Sequence, residues 1–135
     1  MTSRSVSIQR RVQWMDTDAA GIWHHSVVIR WAEEAEAELH RLLGISDQTF
    51  GATPRVRTEF EFATPVRFDD LVDVTLTVSA LGNTSITYHV DVRSGSTPVA
   101  SGEMVAVFTD RVSGEKRAWP DPLRRALSPT SDQDG

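Results

Sequence analysis

From Val6 the chain alternates: Val6, Ile8, Val12 and Trp14 are apolar, Ser7, Gln9, Arg11 and Gln13 are polar, and Arg10 is the one interruption. Period two is the signature of a half-buried strand, so a first strand is expected from Val6 to Trp14. Between His25 and Leu43 the period changes. Val28, Trp31, Ala32, Ala35, Leu39 and Leu42 recur at three and four residues, which predicts an amphipathic helix with a wet face carrying Arg30, Glu33, Glu34 and His40. Ser26 or the histidines before it stand where a cap belongs, and Gly44 stands where a left-handed residue closes a helix. Four segments rich in β-branched and aromatic residues follow: Arg55 to Phe62, Leu71 to Ala80, Ser85 to Arg93 and Val99 to Thr109. The stretches that bound them, ATPVRFDD, LGNT, SGSTP and RVSGE, have turn composition, and connections this short favour antiparallel pairing.

The order is thus strand, polar loop, one long helix, four strands, which predicts an α+β domain with a single helix laid on an antiparallel sheet. One helix covers only part of one sheet face. The opposite face and the edges must be wet or paired with another copy, so a homodimer is expected. Residues 1–127 read as a single domain with no repeat and no dividing linker. The last eight residues, SPTSDQDG, have nothing to bury and read as a disordered tail over 128–135.

Composition narrows the chemistry. The 135 residues are 39% apolar and 24% charged, and no apolar run approaches the roughly 20 residues that span a bilayer, so no membrane association is expected. The N-terminal MTSRSVSIQR moves straight into alternation without the apolar stretch of a secretory signal, which points to a cytoplasmic protein. Without cysteine there is no disulfide framework, no thiol nucleophile and no thiolate zinc site. Net charge is −5 and the 14 Lys and Arg are dispersed, which argues against a nucleic-acid partner.

Candidate chemistry gathers in one stretch, WMDTDAAGIWHH, from Trp14 to His25. Two carboxylates and two imidazoles stand within a dozen residues of the helix. A metal site built from Asp16, Asp18, His24 and His25 has suitable donor types, but adjacent side chains on an extended segment point to opposite faces. No metal is assigned. A Ser-His-Asp triad is weaker still, because no serine sits in a Gly-x-Ser-x-Gly elbow. Asp16 reads as structural, a cap or the partner of an arginine such as Arg10 or Arg11. On spacing alone Asp18 reads as a turn or cap residue.

The run DTDAAGIWHHSVVIRWAEEAEAELHRLLG resembles the 4-hydroxybenzoyl-CoA thioesterase and YbgC-type acyl-CoA thioesterase family, whose pattern is Asp-x-Asp-x-x-Gly-x-x-x-His followed by an Arg-Trp-x-Glu helix. The likeness continues through FATPVRFDDLVDV and WPDPLRRAL, to about residue 127. It implies the hotdog fold, one long central helix wrapped by a five-stranded, mainly antiparallel sheet. It also implies hydrolysis of an acyl thioester to acid and thiol, with coenzyme A entering as part of the substrate and no other cofactor. In the family the second aspartate, here Asp18, is the catalytic carboxylate, and the helix-start amide, here near His25, polarises the carbonyl. Gly21, His24 and the turn residues Asn83, Thr84 and Ser85 are the implied substrate-binding positions. Active sites in relatives lie between two subunits, and four-subunit assemblies are common. Two positions depart from the pattern: Val27-Val28 replaces an Asn-Tyr pair, and the turn from Leu81 to Ser85 lacks the basic residues that meet coenzyme A phosphates in some relatives. A carrier-protein thioester therefore stands beside acyl-CoA as the expected partner.

The residues suit that chemistry. A carboxylate serves as nucleophile or general base, and helix-start amides hold developing oxyanion charge because they lack intrahelical partners. Asp18 precedes the helix by about seven residues, and Gly21 supplies the freedom to turn the loop back. Two further readings share these residues: a lyase or dehydratase acting on an acyl thioester, and a non-catalytic acyl or CoA-binding module.

Overall fold

The computed structural model describes residues 4–129. Strand β1 (Ser5–Arg11) leads through a 3-10 turn (Trp14–Asp16) to the long helix α1 (Val27–Leu42) and the one-turn helix α2 (Ser46–Thr49). Strands β2 (Arg55–Phe62), β3 (Leu71–Leu81), β4 (Ser85–Ser94) and β5 (Thr97–Val107) follow, and helix α3 (Asp121–Leu127) is the last element among the described residues. The strands form one sheet in the order β1-β3-β4-β5-β2, antiparallel at every junction. Because α1 separates β1 from β2 in sequence, those two strands end on opposite edges. The β3–β4–β5 meander fills the space between them.

Alternation along the meander supplies the floor of the core. Val72, Val74, Leu76 and Val78 of β3, with Ile86, Tyr88, Val90 and Val92 of β4, are all buried on one face. Helix α1 lies over β1 and β3 and lays Val28, Trp31, Ala32, Ala35 and Leu39 on that floor. The two alanines let the helix approach closely, while Trp31, 1% exposed, fills the space beside them. Each large side chain removed from water here contributes roughly 1.5–3 kcal/mol before the entropy of ordering it is counted.

The outer face of the sheet is wet. Ser5 and Thr77 join hydroxyls at 3.0 Å, Ser7 and Thr75 at 2.7 Å, and Gln9 donates to Asp73 at 3.3 Å, a polar ladder that seals β1 to β3 without apolar cover. The β2 edge is different. Val56 is 57% exposed and Phe62 47%, because α1 is displaced towards the β1 side and leaves this strand uncovered.

Four expectations change. β1 stops at Arg11, and Trp14 stands on the 3-10 turn, 78% exposed, because Asp16 closes that turn by accepting the Gln13 N–H. His40 is not on the wet face of α1; it is buried between Thr49 and Tyr88, which satisfy both ring nitrogens. Leu42 is 66% exposed, since the helix ends there and Ile45 fills the core in its place. Helix α3 was not expected as an element; it buries Leu123 and Leu127. Of the tail expected over 128–135, residues 130–135 lie outside the described residues, and Ser128 is half-buried with its N–H bonded to the Arg124 carbonyl. Among the described residues no helix is long and apolar enough to cross a membrane.

Candidate active site

Residues 16 to 24 form a tight hairpin. The Asp18 N–H bonds to the Ile22 carbonyl at 2.8 Å, Thr17 bridges Trp23, and the His24 N–H bonds to the Asp16 carbonyl at 2.6 Å. The turn at its tip requires a left-handed residue, and Gly21 takes it at φ 79. The return arm is pinned to the rest of the fold by the Trp23 N–H, which bonds to the Val66 carbonyl at 2.7 Å. The loop expected to turn at Gly21 is a hydrogen-bonded hairpin, with Asp18 at the tip and His25 just past the return arm.

Asp18 is exposed in the single chain. Its Oδ1 accepts the Ala20 N–H at 2.8 Å, which orients the carboxylate, and Oδ2 has no hydrogen-bond partner among the described residues. Asp16, two residues earlier, is the opposite case: 2% exposed, with Oδ1 accepting from Arg30 Nη2 at 2.9 Å and Oδ2 accepting from the Gln13 N–H. Its arginine is Arg30, not Arg10 or Arg11. Nothing periodic announces this pair, because the contact depends on how far the hairpin returns over the first turn of α1.

The start of α1 is tightened by 3-10-type bonds. The Val27, Val28 and Ile29 N–H groups reach the carbonyls of His24, His25 and Ser26 at 2.9, 3.2 and 3.1 Å, and the Ser26 N–H lies 3.4 Å from His24 Nδ1. From His24 to Ile29 the His25 amide alone has no acceptor among the described residues. His24 Nδ1 is also 2.7 Å from the Ser26 hydroxyl, and its ring stacks on that of His25 at 5.0 Å. Phe62, from the uncovered β2 edge, meets the His25 ring at 5.7 Å and the Trp23 ring at 5.6 Å, both edge-on. In the sequence Phe62 marks only the end of a strand segment; its place beside the helix start follows from strand order.

Asn83, Thr84 and Ser85 form the β3–β4 turn. Their carbonyls are taken by the C-terminal segment and the residue after β5: Asn83 accepts the Trp119 N–H, Ser85 accepts the Trp119 Nε1–H at 3.0 Å, and Thr84 accepts the Phe108 N–H at 2.7 Å. Leu71, at the start of β3, pairs with Arg11 next to the hairpin, so the turn beyond Leu81 lies at the far end of an eleven-residue strand, roughly 33 Å away. Within one chain the structure therefore gathers Asp18, Gly21, His24 and His25 but not residues 83–85.

Comparison with known proteins agrees with this architecture. A family model described as the thioesterase superfamily matches residues 20–101, more than half of the chain. A 1,4-dihydroxy-2-naphthoyl-CoA hydrolase of Prochlorococcus marinus is 27% identical over 128 residues, 87% of this chain and 85% of its own. The acyl-CoA thioester hydrolase YbgC of Escherichia coli is 28% identical over 119 residues, 84% of this chain and 88% of its own. Slr0204, a 1,4-dihydroxy-2-naphthoyl-CoA thioesterase from Synechocystis, superposes with a TM-score of 0.80 at 19% identity over 91% of this chain and 95% of its own, which establishes the shared hotdog fold.

Proposed function

The chain belongs to the thioesterase superfamily and is a thioester hydrolase, and we propose that it cleaves an acyl-CoA thioester with the Asp18 carboxylate and the His25 amide as its working groups. The observation that carries this reading is the unclaimed His25 N–H at the helix start, delivered by the same hairpin that presents Asp18. Asp18 attacks the thioester carbonyl carbon directly, or removes a proton from the water that does. The carbonyl oxygen gains charge and accepts the His25 N–H, whose partial positive charge is reinforced by the helix dipole. The C–S bond then breaks and the thiolate leaves, taking up a proton as thiol; on the water route the acyl group departs as free acid, and on the direct route it stays as a mixed anhydride with Asp18 until water hydrolyses it and restores the carboxylate. The ring of His25 and the hydroxyl-bonded His24 flank the amide and orient the substrate, and Gly21 sets the hairpin turn that presents Asp18. No cofactor beyond the coenzyme A of the substrate enters these steps.

The acyl group we favour is aromatic. Phe62, Trp23 and the His25 ring surround the helix start, and the Prochlorococcus relative acts on a bicyclic aryl thioester by name. The working assembly is a homodimer, or a tetramer built from dimers, joined through β2. That strand is an open edge with exposed Val56 and Phe62. Antiparallel pairing of two β2 edges reverses strand direction, so the partner's Asn83–Ser85 turn reaches the end of the assembly where Asp18 stands and can meet the coenzyme or carrier arm. A panel of aryl, short, long and branched acyl-CoA and acyl-carrier-protein thioesters, read by thiol release, tests the reading. Turnover of aryl-CoA ahead of the others is expected; no thiol release from any of them overturns it. A light-scattering mass of one chain removes the dimer.

A further inference from the structure

Asp16 is the carboxylate of the motif that the proposed chemistry leaves unused. It is tied at three points: Oδ1 to Arg30 Nη2 at 2.9 Å, Oδ2 to the Gln13 N–H at 2.8 Å, and its carbonyl to the His24 N–H at 2.6 Å. One residue thus joins the 3-10 turn that begins the hairpin, the arm that delivers His25, and the first turn of α1. Arg30 is itself braced. Its Nε stands 3.6 Å from Glu34 Oε2, and Glu34 Oε1 accepts from Arg10 Nε on β1 at 2.7 Å. Carboxylates and guanidiniums alternate from the hairpin to the sheet edge.

We propose that Asp16 and Arg30, braced by Glu34 and Arg10, are positioning residues for thioester hydrolysis: they fix the height of the hairpin over the start of α1 and so the separation of the Asp18 carboxylate from the His25 amide. This rests on the assignment of Asp18 and His25 above. Folding alone does not call for such a pair. Helix α1 is already held by Val28, Trp31, Ala32, Ala35 and Leu39, and an ion pair whose arginine is 44% exposed adds little to stability by its charge alone. What an ion pair adds is direction. Asp16 has two oxygens engaged by donors from two different elements, which leaves the hairpin one orientation.

The test is steady-state kinetics of thiol release on Arg30→Met, Arg30→Lys, Asp16→Asn and Glu34→Gln, with thermal unfolding of each and Glu38→Gln, at the other end of α1, as a surface control. For Arg30→Met we expect kcat to fall roughly 10- to 100-fold, since small misplacements of reacting groups cost that much. KM should stay within about threefold, because ground-state binding is left in place. Arg30→Lys should recover part of kcat by keeping the charge without the planar geometry. The double variant Asp16→Asn/Arg30→Met should be no slower than the slower single one, as for groups that act together. A purely structural role would lower the melting temperature and leave kcat per folded molecule unchanged; that result in Arg30→Met overturns the proposal. If Arg30→Met fails to fold, an unchanged kcat in Glu34→Gln overturns it, because that half-exposed brace can be removed without burying a lone charge. Failure of the parent reading looks different: Asp18→Asn would then turn over normally whatever the Arg30 variants do.

Discussion

The imidazole of His40 and the hydroxyl of Tyr88 meet at 2.7 Å inside the core, both almost wholly out of water. The direction of the bond can be derived. Thr49 donates its hydroxyl proton to the Ile45 carbonyl at 3.2 Å, so it receives a proton from His40 Nδ1 at 2.7 Å. Nε2 is then the bare nitrogen and accepts the Tyr88 O–H. The histidine is neutral, and burial pushes its pKa below the usual value, with nearby Arg55 adding to the effect and Glu36 opposing it. Burial likewise raises Tyr88 well above the ordinary phenol value, which keeps its proton available for donation.

Stability should therefore fall on acidification. His40 has a lower pKa folded than unfolded, so below about pH 6.5 the unfolded chain takes up a proton that the folded one refuses. The loss begins as pH drops through the unfolded value and levels off below the folded one. Urea unfolding from pH 8 to pH 5 reads it, and His40→Gln should flatten that part of the profile. A wild-type curve without slope in this window would contradict the buried neutral assignment. His40→Leu, which orphans Tyr88, should cost about 1–3 kcal/mol at pH 8.

Asp18→Asn should leave the fold intact, because the side chain is exposed and its one bond, to the Ala20 N–H, can be kept by the amide oxygen. Turnover should drop by roughly 10²–10⁴, the usual contribution of a positioned acid or base. Thiol release with matched circular dichroism decides it. Near-normal turnover removes Asp18 from the mechanism.

Trp31→Ala should be the most damaging single truncation in α1. Trp31 is 1% exposed and packs over the sheet, so its removal opens a cavity and should cost about 3–5 kcal/mol. Leu42→Ala, at the exposed end of the same helix, should stay within about 0.5 kcal/mol. Chemical denaturation of the pair checks both the packing and the corrected helix face.

Gly102→Val should loosen the β2 edge. An added Cβ at this β5 position would overlap the Glu59 carbonyl and the Phe60 ring across the strand pair, and neither backbone can retreat without breaking the ladder. We expect faster amide exchange in β2 and a weakened dimer, measured by hydrogen exchange and light scattering. Unchanged exchange in β2 would show that the edge tolerates the shift.

The amino-acid sequence by itself determined the element order and most boundaries. β-Branched and aromatic content between turn-like stretches placed Arg55–Phe62 to the residue and the other three late strands to within about two, because Gly, Pro, Asn and Asp end strand pairing where they stand. It also located the motif from Trp14 to His25 and its turn at Gly21, since glycine there meets a backbone requirement that local chemistry alone imposes. Tertiary structure decided what touches what. His40 looked like a wet-face residue until Thr49 and Tyr88 came to it from elements 9 and 48 residues away, and Asp16 found Arg30 only because the hairpin returns over α1. A polar side chain carries no label for its partner. Long-range pairing is set by how the sheet orders its strands, and that order placed Phe62 beside His25, left β2 open, and carried the Asn83–Ser85 turn to the other end of the sheet.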